Sequence, residues 1–280
     1  MKRAFMKSPA KINLGLNILN KREDGFHNIE TISYQIQLCD NITFEKNEET
    51  FSFTANSEAL TSDIEGNLII KALRLVEAHI GKKLSLQIDL QKNIPIGAGL
   101  GGGSSNAAIT LIALNELFSL EMNDATLDAF AAKLGSDVNM FLKHFSSYAT
   151  GRGEVVRQIN IDMPYTILLI NPGIHVSTPW AYKNCVPSVP EVPLEYFIIN
   201  NTISIKSVLP FLKNDFENNV FAAFPEIRNI KDSLLEQGAV FAQMSGSGSS
   251  VFGLFDSSVD AERTMESFPE EYFSYIEFPE

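Results

Sequence analysis

Residues 95–108 read Pro95-Ile96-Gly97-Ala98-Gly99-Leu100-Gly101-Gly102-Gly103-Ser104-Ser105-Asn106-Ala107-Ala108. Five of the chain's 17 glycines fall between positions 97 and 103. Glycine loses more conformational freedom on folding than any other residue, so such a run needs a reason. Anion binding supplies one. Glycines reach positive φ and leave backbone N–H groups uncovered. The apolar periodicity of 104–118 predicts a helix opening on two serines able to cap it. Its unpaired first-turn N–H groups and the positive end of its dipole would face the loop. A flexible hinge is the competing reading, but a hinge has no use for an immediate helix start.

Three familiar phosphate loops are excluded. Gly97, Gly99 and Gly102 satisfy the dinucleotide spacing G-x-G-x-x-G, a weak match in a glycine-saturated segment. That fingerprint needs a strand running straight into the first glycine, and QKNIPI intervenes. It also needs a ribose-binding acid about 20 residues on, at a strand end. Glu116 and Glu121 instead fall on or just past a helix. No Gly-Lys-Ser/Thr follows, so this is not a P-loop. No H-R-D or D-F-G occurs, so the protein-kinase set is absent.

Outward from the loop, helices and strands alternate. Residues 12–19, 42–44, 51–53 and 84–90 read as strands, the last by strict alternation. Residues 67–80 read as a helix ended by Gly81, and 123–135 as one capped by Asp124 and ended by Gly135. Residues 165–170 form a buried strand. The stretch 186–193 holds three prolines and reads as an extended loop. Beyond it lie helices near 203–213, 215–223 and 226–237, strands near 239–243 and 250–255, and a helix at 258–267. The expected organisation is α+β with two domains, 1–155 and 156–280.

Composition narrows the function classes. The 280 residues carry 22 Lys and Arg against 34 Asp and Glu, a net charge of −12. A chain living on phosphate-backbone contacts would show a basic face, so nucleic acid and anionic membrane are poor partners. A small anion in one local pocket is compatible. Cys39 and Cys185 are far apart and form neither a zinc pattern nor a disulfide framework. The N-terminal residues lack the apolar stretch of a secretory leader, and no apolar run approaches the ~18 residues of a membrane span. A cytoplasmic protein is expected.

Lys11 lies among apolar residues of the first strand and Asp137 just past a helix end. Taken alone, Lys11 reads equally as a snorkelling edge lysine and Asp137 as a turn or cap residue. Together they suit phosphoryl transfer. A carboxylate accepts the proton of an attacking hydroxyl, and an ammonium keeps it ionised and opposes charge on the attacking oxygen.

The glycine stretch resembles the nucleotide loop of the GHMP kinases. SPAKINLGLNIL at 8–19 resembles their first motif and SGSGSSVFGLF at 245–255 their third. DGFHNIET at 24–31, LGSDV at 134–138 and NPGIHVSTP at 171–179 resemble the branch that phosphorylates 4-diphosphocytidyl-2-C-methyl-D-erythritol. The resemblance implies a ribosomal-protein-S5-like N-terminal domain, a ferredoxin-like C-terminal domain and an active site in the cleft between them. It implies ATP-dependent phosphorylation of a hydroxyl of that cytidyl substrate, in the methylerythritol phosphate route to isoprenoids. It assigns Lys11 and Asp137 to catalysis. ATP would meet Asn67 and the loop Pro95, Ile96, Gly97, Ala98, Gly99, Leu100, Gly101, Gly102, Gly103, Ser104 and Ser105, with Mg²⁺ arriving on the nucleotide and no dedicated metal site. Asn13, Phe26, His27, Asp137 and Thr178 would meet the cytidyl substrate, and Ser245, Gly246, Ser247 and Gly248 form the third-motif loop. Phe26 stands where Tyr is usual. Gly66, Ser136, Asn139, Ser245 and Ser247 also depart from the common pattern. Another GHMP kinase, acting on homoserine, mevalonate or a sugar, is the runner-up, followed by a non-catalytic nucleotide-binding regulator. His79, His144 and His175 show no ligand spacing and are expected to be structural or superficial.

Overall fold

The structure is a computed structural model describing residues 2–48, 50–143 and 145–279. In chain order its first elements are β1 (Arg3–Lys21), β2 (His27–Lys46), β3 (Ser52–Ala55), α1 (Glu58–Thr61), α2 (Leu68–Ile80), β4 (Leu86–Gln91), α3 (Gly102–Phe118), α4 (Asp124–Leu134) and α5 (Val138–Leu142). There follow β5 (Ser147–Thr150), β6 (Val155–Gln158), β7 (Asn160–Asp162), β8 (Thr166–Asn171), α6 (Thr178–Asn184), β9 (Thr202–Ser204), α7 (Ile205–Val208), α8 (Glu217–Ala223), α9 (Pro225–Glu236), β10 (Phe241–Met244), β11 (Val251–Phe255), α10 (Ser258–Glu266) and β12 (Phe273–Glu277). By compactness the chain forms two units, one of residues 1–10, 37–96 and 101–144, the other of 11–36, 97–100 and 145–280. The strands β1 and β2 each pass from one unit into the other.

In the first unit, β4 pairs antiparallel with the second half of β2, from Asn41 opposite Gln91 to Lys46 opposite Leu86. The short β3 does not pair with its chain neighbour at 42–44. It runs parallel to β4, Ser52 beside Gln87, because α1 and α2 provide the long crossover that a parallel pair needs. Helix α2 buries Ile69, Ile70, Leu73 and Val76, the stripe its periodicity predicts, and ends at Gly81 with φ 65°. It packs on α3, most of which is buried.

In the second unit a four-stranded antiparallel sheet runs β10-β11-β8-β12, and every residue of β8 and β11 is buried. Helix α9 packs on β10 and β11, and α10 on β8. The first half of β2 pairs with β5, which pairs with β6.

Several local expectations change. Ser104 and Ser105 lie inside α3. The N-cap position is Gly101 at φ 69°, which caps without a side chain, so the helix starts two residues earlier than its serines suggest. Asn123, and not Asp124, caps α4 by accepting from Thr126 N. The helix expected at 203–213 is broken into β9, the single turn α7 and a 3₁₀ turn at Leu209–Phe211, where Pro210 cannot continue an α-helical ladder. β12 has no counterpart in the sequence reading.

Candidate active site

The glycine loop leaves β4, crosses residues 92–101 and enters α3. Gly97, Gly99 and Gly101 all take positive φ, 66°, 78° and 69°. The backbone N–H groups of Gly97 to Gly103 donate to no acceptor among the described residues. A row of bare donors at the start of a 17-residue helix has the geometry that favours an anion.

Gly99 is a glycine for a second reason. A Cβ there would overlap the carbonyl oxygen of Ser245 and stand 3.1 Å from that of Gly248. In the second unit the third-motif loop is therefore seated directly on the glycine loop at Ala98 and Gly99. Ser245 Oγ donates to Gly99 O at 2.9 Å, and Ser250 N donates to Ala98 O at 3.2 Å. Ser245 is fully buried, and its hydroxyl also accepts Asn13 N at 3.2 Å. Gly246 at φ 56° and Gly248 at φ 90° complete this turn. Ser247 Oγ lies 2.9 Å from Thr178 Oγ1, which is exposed at the first turn of α6.

Lys11 is 3% exposed, which rules out a snorkelling edge lysine. Its Nζ donates to Gly99 O at 3.1 Å and to Asn13 Oδ1, and its backbone N–H to Leu100 O at 3.0 Å. Asn13 is itself held, its Nδ2 donating to Thr31 Oγ1 at 2.9 Å and Ser33 Oγ at 3.3 Å. Asn13 thus braces Lys11. In the first unit, Asp137 occupies the N-cap position of α5 without a side-chain cap bond to that helix. The two candidate catalytic residues fall in different units.

Asn67 caps α2, its Oδ1 accepting Ile69 N at 3.0 Å. Its Nδ2 is buried with no hydrogen-bond partner. An unpaired buried donor is expensive, and a ligand acceptor would satisfy it. Beside it a cavity of about 490 Å³ opens between α2 and α4, lined by Leu68, Lys71, Lys133 and Leu134 among others. Ser105 is fully buried, its hydroxyl accepting from Ser8, which leaves Ser104 as the hydroxyl nearer solvent.

Phe26 and His27 stand where the tight turn 22–26 gives way to β2. The turn is closed by Arg22 N donating to Phe26 O at 2.8 Å, with Gly25 at φ 86°. Phe26 is 54% exposed, and the Arg152 guanidinium lies 4.8 Å from its ring centre. His27 stacks on Tyr182, centres 5.2 Å apart, and Tyr182 meets Phe216 edge-on. Burial, helped by nearby Lys21, pulls the His27 imidazole below its ordinary range and favours the neutral ring. Tyr182 and Arg152 escaped the sequence reading. Tyr182 had a signal: it lies four residues after Thr178, on the same helical face.

Of the remaining histidines, His79 sits edge-on to Phe130 in the first unit. His175 is exposed, its Nδ1 3.1 Å from where a Cβ on Gly97 would stand. His144 lies outside the described residues.

The comparisons with known proteins agree with one another. The model for the GHMP kinases N terminal domain matches residues 67–144, and that for the GHMP kinases C terminal domain matches 202–274. A 4-diphosphocytidyl-2-C-methyl-D-erythritol kinase of Chlorobium chlorochromatii is 43% identical over 276 residues, covering 96% of this chain and 94% of the relative. A crystal structure of 4-(cytidine 5'-diphospho)-2C-methyl-D-erythritol kinase superposes with a TM-score of 0.83 at 32% identity, covering 98% of each chain. A homoserine kinase from Cytophaga hutchinsonii superposes at 0.71 with 16% identity, covering 99% of this chain and 94% of the other, a likeness of fold alone. The chain belongs to the GHMP kinases and, within them, to the 4-diphosphocytidyl-2-C-methyl-D-erythritol kinase family.

Proposed function

We propose that this chain transfers the γ-phosphoryl group of ATP to a hydroxyl of 4-diphosphocytidyl-2-C-methyl-D-erythritol, a step toward isoprenoid precursors. The observation that carries the reading is the row of undonated N–H groups from Gly97 to Gly103 at the mouth of α3. Those dipoles suit the charge of a polyphosphate and need no reorganisation when it arrives. Asn67, with its unsatisfied Nδ2, offers a donor to the base of the nucleotide.

Asp137 takes the proton of the attacking hydroxyl, and the buried Lys11 ammonium stabilises negative charge on the oxygen. Asn13, Thr31, Ser33 and Gly99 O hold that ammonium in one place. Phe26 supplies an exposed ring face for the cytosine. Neutral His27 presents one donor and one acceptor to its edge. Thr178 offers a hydroxyl at the start of α6. Mg²⁺ bound to the nucleotide phosphates would neutralise charge as the phosphoryl group leaves. Among the described residues no cluster of three His, Cys, Asp or Glu side chains could hold a metal ion. Such an ion would take most of its oxygens from phosphate and water, and of the two loop serines the less buried Ser104 would be the one to supply a hydroxyl.

The test is ATP consumption by the purified chain against a panel: the cytidyl-diphosphate methylerythritol, methylerythritol phosphate, mevalonate and homoserine. Turnover of the first alone supports the reading. Turnover of mevalonate or homoserine alone overturns it.

A further inference from the structure

The glycine loop has almost nothing of its own to hold it, because its N–H groups are kept bare. Something outside the loop must fix both of its ends. In the first unit that something is Asp40. Along β2 the even-numbered residues Leu38, Ile42 and Phe44 face the core, and Asp40 falls in the same period-2 register. A carboxylate at a core position is costly unless it is fully hydrogen-bonded.

Here it is. Asp40 is 0% exposed, and its two oxygens receive four donors. Oδ1 accepts the backbone N–H groups of Asn93 and Ile94, each at 2.8 Å. Oδ2 accepts Lys92 Nζ at 2.5 Å and Asn106 Nδ2 at 2.9 Å. Four donors saturate a carboxylate. Asn93 and Ile94 are the residues entering the loop, and Asn106 lies just inside the helix leaving it. The same Asn106 amide donates to Ser8 Oγ at 2.8 Å, and Ser8 donates to Ser105 Oγ at 2.8 Å. One buried anion therefore ties the loop's entry and its exit to the strand beneath.

Lys92 adds charge to this geometry. Its side chain is 8% exposed, and its Nζ would lie 2.9 Å from a Cβ on Gly102, the first residue of α3. A cation beside the positive end of a helix is unfavourable by itself. Asp40 offsets it from below, and an anion on the loop would offset it from above. Burial pulls the Lys92 ammonium below its ordinary range, and Asp40 opposes that pull.

We propose that Asp40, Lys92 and Asn106 are positioning residues for the nucleotide: they clamp the two ends of the glycine loop, hold its N–H groups in register for the phosphates, and set a buried cation beneath them. This rests on the reading of the loop as an ATP cradle. The test is calorimetric titration of ADP into the full chain, as wild type, Lys92→Met and Asn106→Ala, with thermal melting of each protein alone. Because a misplacement of about 1 Å at a site can cost about 100-fold, both variants should bind ADP about 10- to 100-fold more weakly at a temperature where they are folded. The KM for the alcohol substrate should stay within about twofold, since the lost interaction belongs to the nucleotide. A lowered melting temperature with wild-type ADP affinity would make the clamp a stability element and overturn the inference. So would failure of both variants to fold. If the wild type itself binds no ADP, the cradle reading falls and takes this inference with it. Wild-type binding with unaffected variants removes the inference alone.

Discussion

Replacing Phe26 by alanine separates a ligand-binding ring from a structural one. Truncating a core phenylalanine costs about 3–5 kcal/mol and would harm every activity together. Phe26 is 54% exposed, so little of that applies. Among the described residues its ring partner is the Arg152 guanidinium, 4.8 Å from the ring centre. Such a contact is worth about 0.5–1 kcal/mol at an exposed site. In a chain of this size that corresponds to a melting shift of no more than about 2–4 °C. Arg152 covers one face of the ring and leaves exposed area for a base. Stacking on an aromatic side chain is worth about 1–3 kcal/mol per base. At 1.4 kcal/mol per decade, Phe26→Ala should raise the KM for the cytidyl substrate about 5- to 150-fold. The KM for ATP should hardly move. Phe26→Tyr keeps the face and adds one hydroxyl, so its KM should stay within about tenfold of wild type. The assay is coupled ADP release at varied concentration of each substrate, beside a thermal melt. A large stability loss with both KM values raised alike, or an unchanged KM for the cytidyl substrate, would refute the stacking role.

Lys11→Met and Asp137→Asn should each lower kcat by roughly 10²–10⁴ while ADP affinity holds, and the double variant should fall far short of the product of the two. A near-wild-type kcat in Asp137→Asn would remove the proton-acceptor assignment. Gly99→Ala forces a left-handed conformation costing about 1–2 kcal/mol and drives a methyl into Ser245 O, so the loop must move; calorimetry should show ADP binding weakened tenfold or more, and unchanged affinity would make the loop a hinge. His27 has a folded pKa below its unfolded value of about 6.5, so its contribution to stability is present above that pH and is lost as pH falls through the folded value. The KM for the cytidyl substrate should rise over the same acid window, and a profile identical in His27→Gln would dismiss the imidazole as the reader of the base.

What the sequence could tell depended on how far each cause lay from its effect. Helix α2 was legible because its cap, stripe and stop all lie between Asn67 and Gly81. The buried strand β8 was legible because both its faces are covered, so it reads as an unbroken apolar run. The start of α3 was misread because Ser104 and Ser105 are good caps by type, while the observed start needs only the positive φ of Gly101. The continuous β2 was seen only at its end, 42–44, since Gln35, Gln37 and Cys39 dilute the apolar count although the even positions keep a clean period of two. That same period places Asp40 among core residues, a signal available without coordinates. Phe26 and His27 stand out in the sequence only through the resemblance carried by DGFHNIET. Their neighbours Arg152 and Tyr182 lie more than 120 residues away in the chain; the helical spacing from Thr178 marks Tyr182, and nothing local marks Arg152.

Distance along the chain also separates the three sequence motifs. In the second unit they are one brace. Ser245 of the third motif accepts from Asn13 of the first and donates to Gly99 of the second, 146 positions away. Gly99 O also accepts from Lys11, so a single carbonyl meets the buried ammonium and the third motif together. The close approach that makes this possible leaves no room for a Cβ at Gly99. Gly99 therefore answers two demands at once, a positive φ that keeps its N–H bare and a bare Cα that lets Ser245 reach its oxygen. A phosphate loop needs only the first demand. The second couples the lysine to the loop, so that a shift of the nucleotide's backbone donors is also a shift of the ammonium assigned to the attacking oxygen.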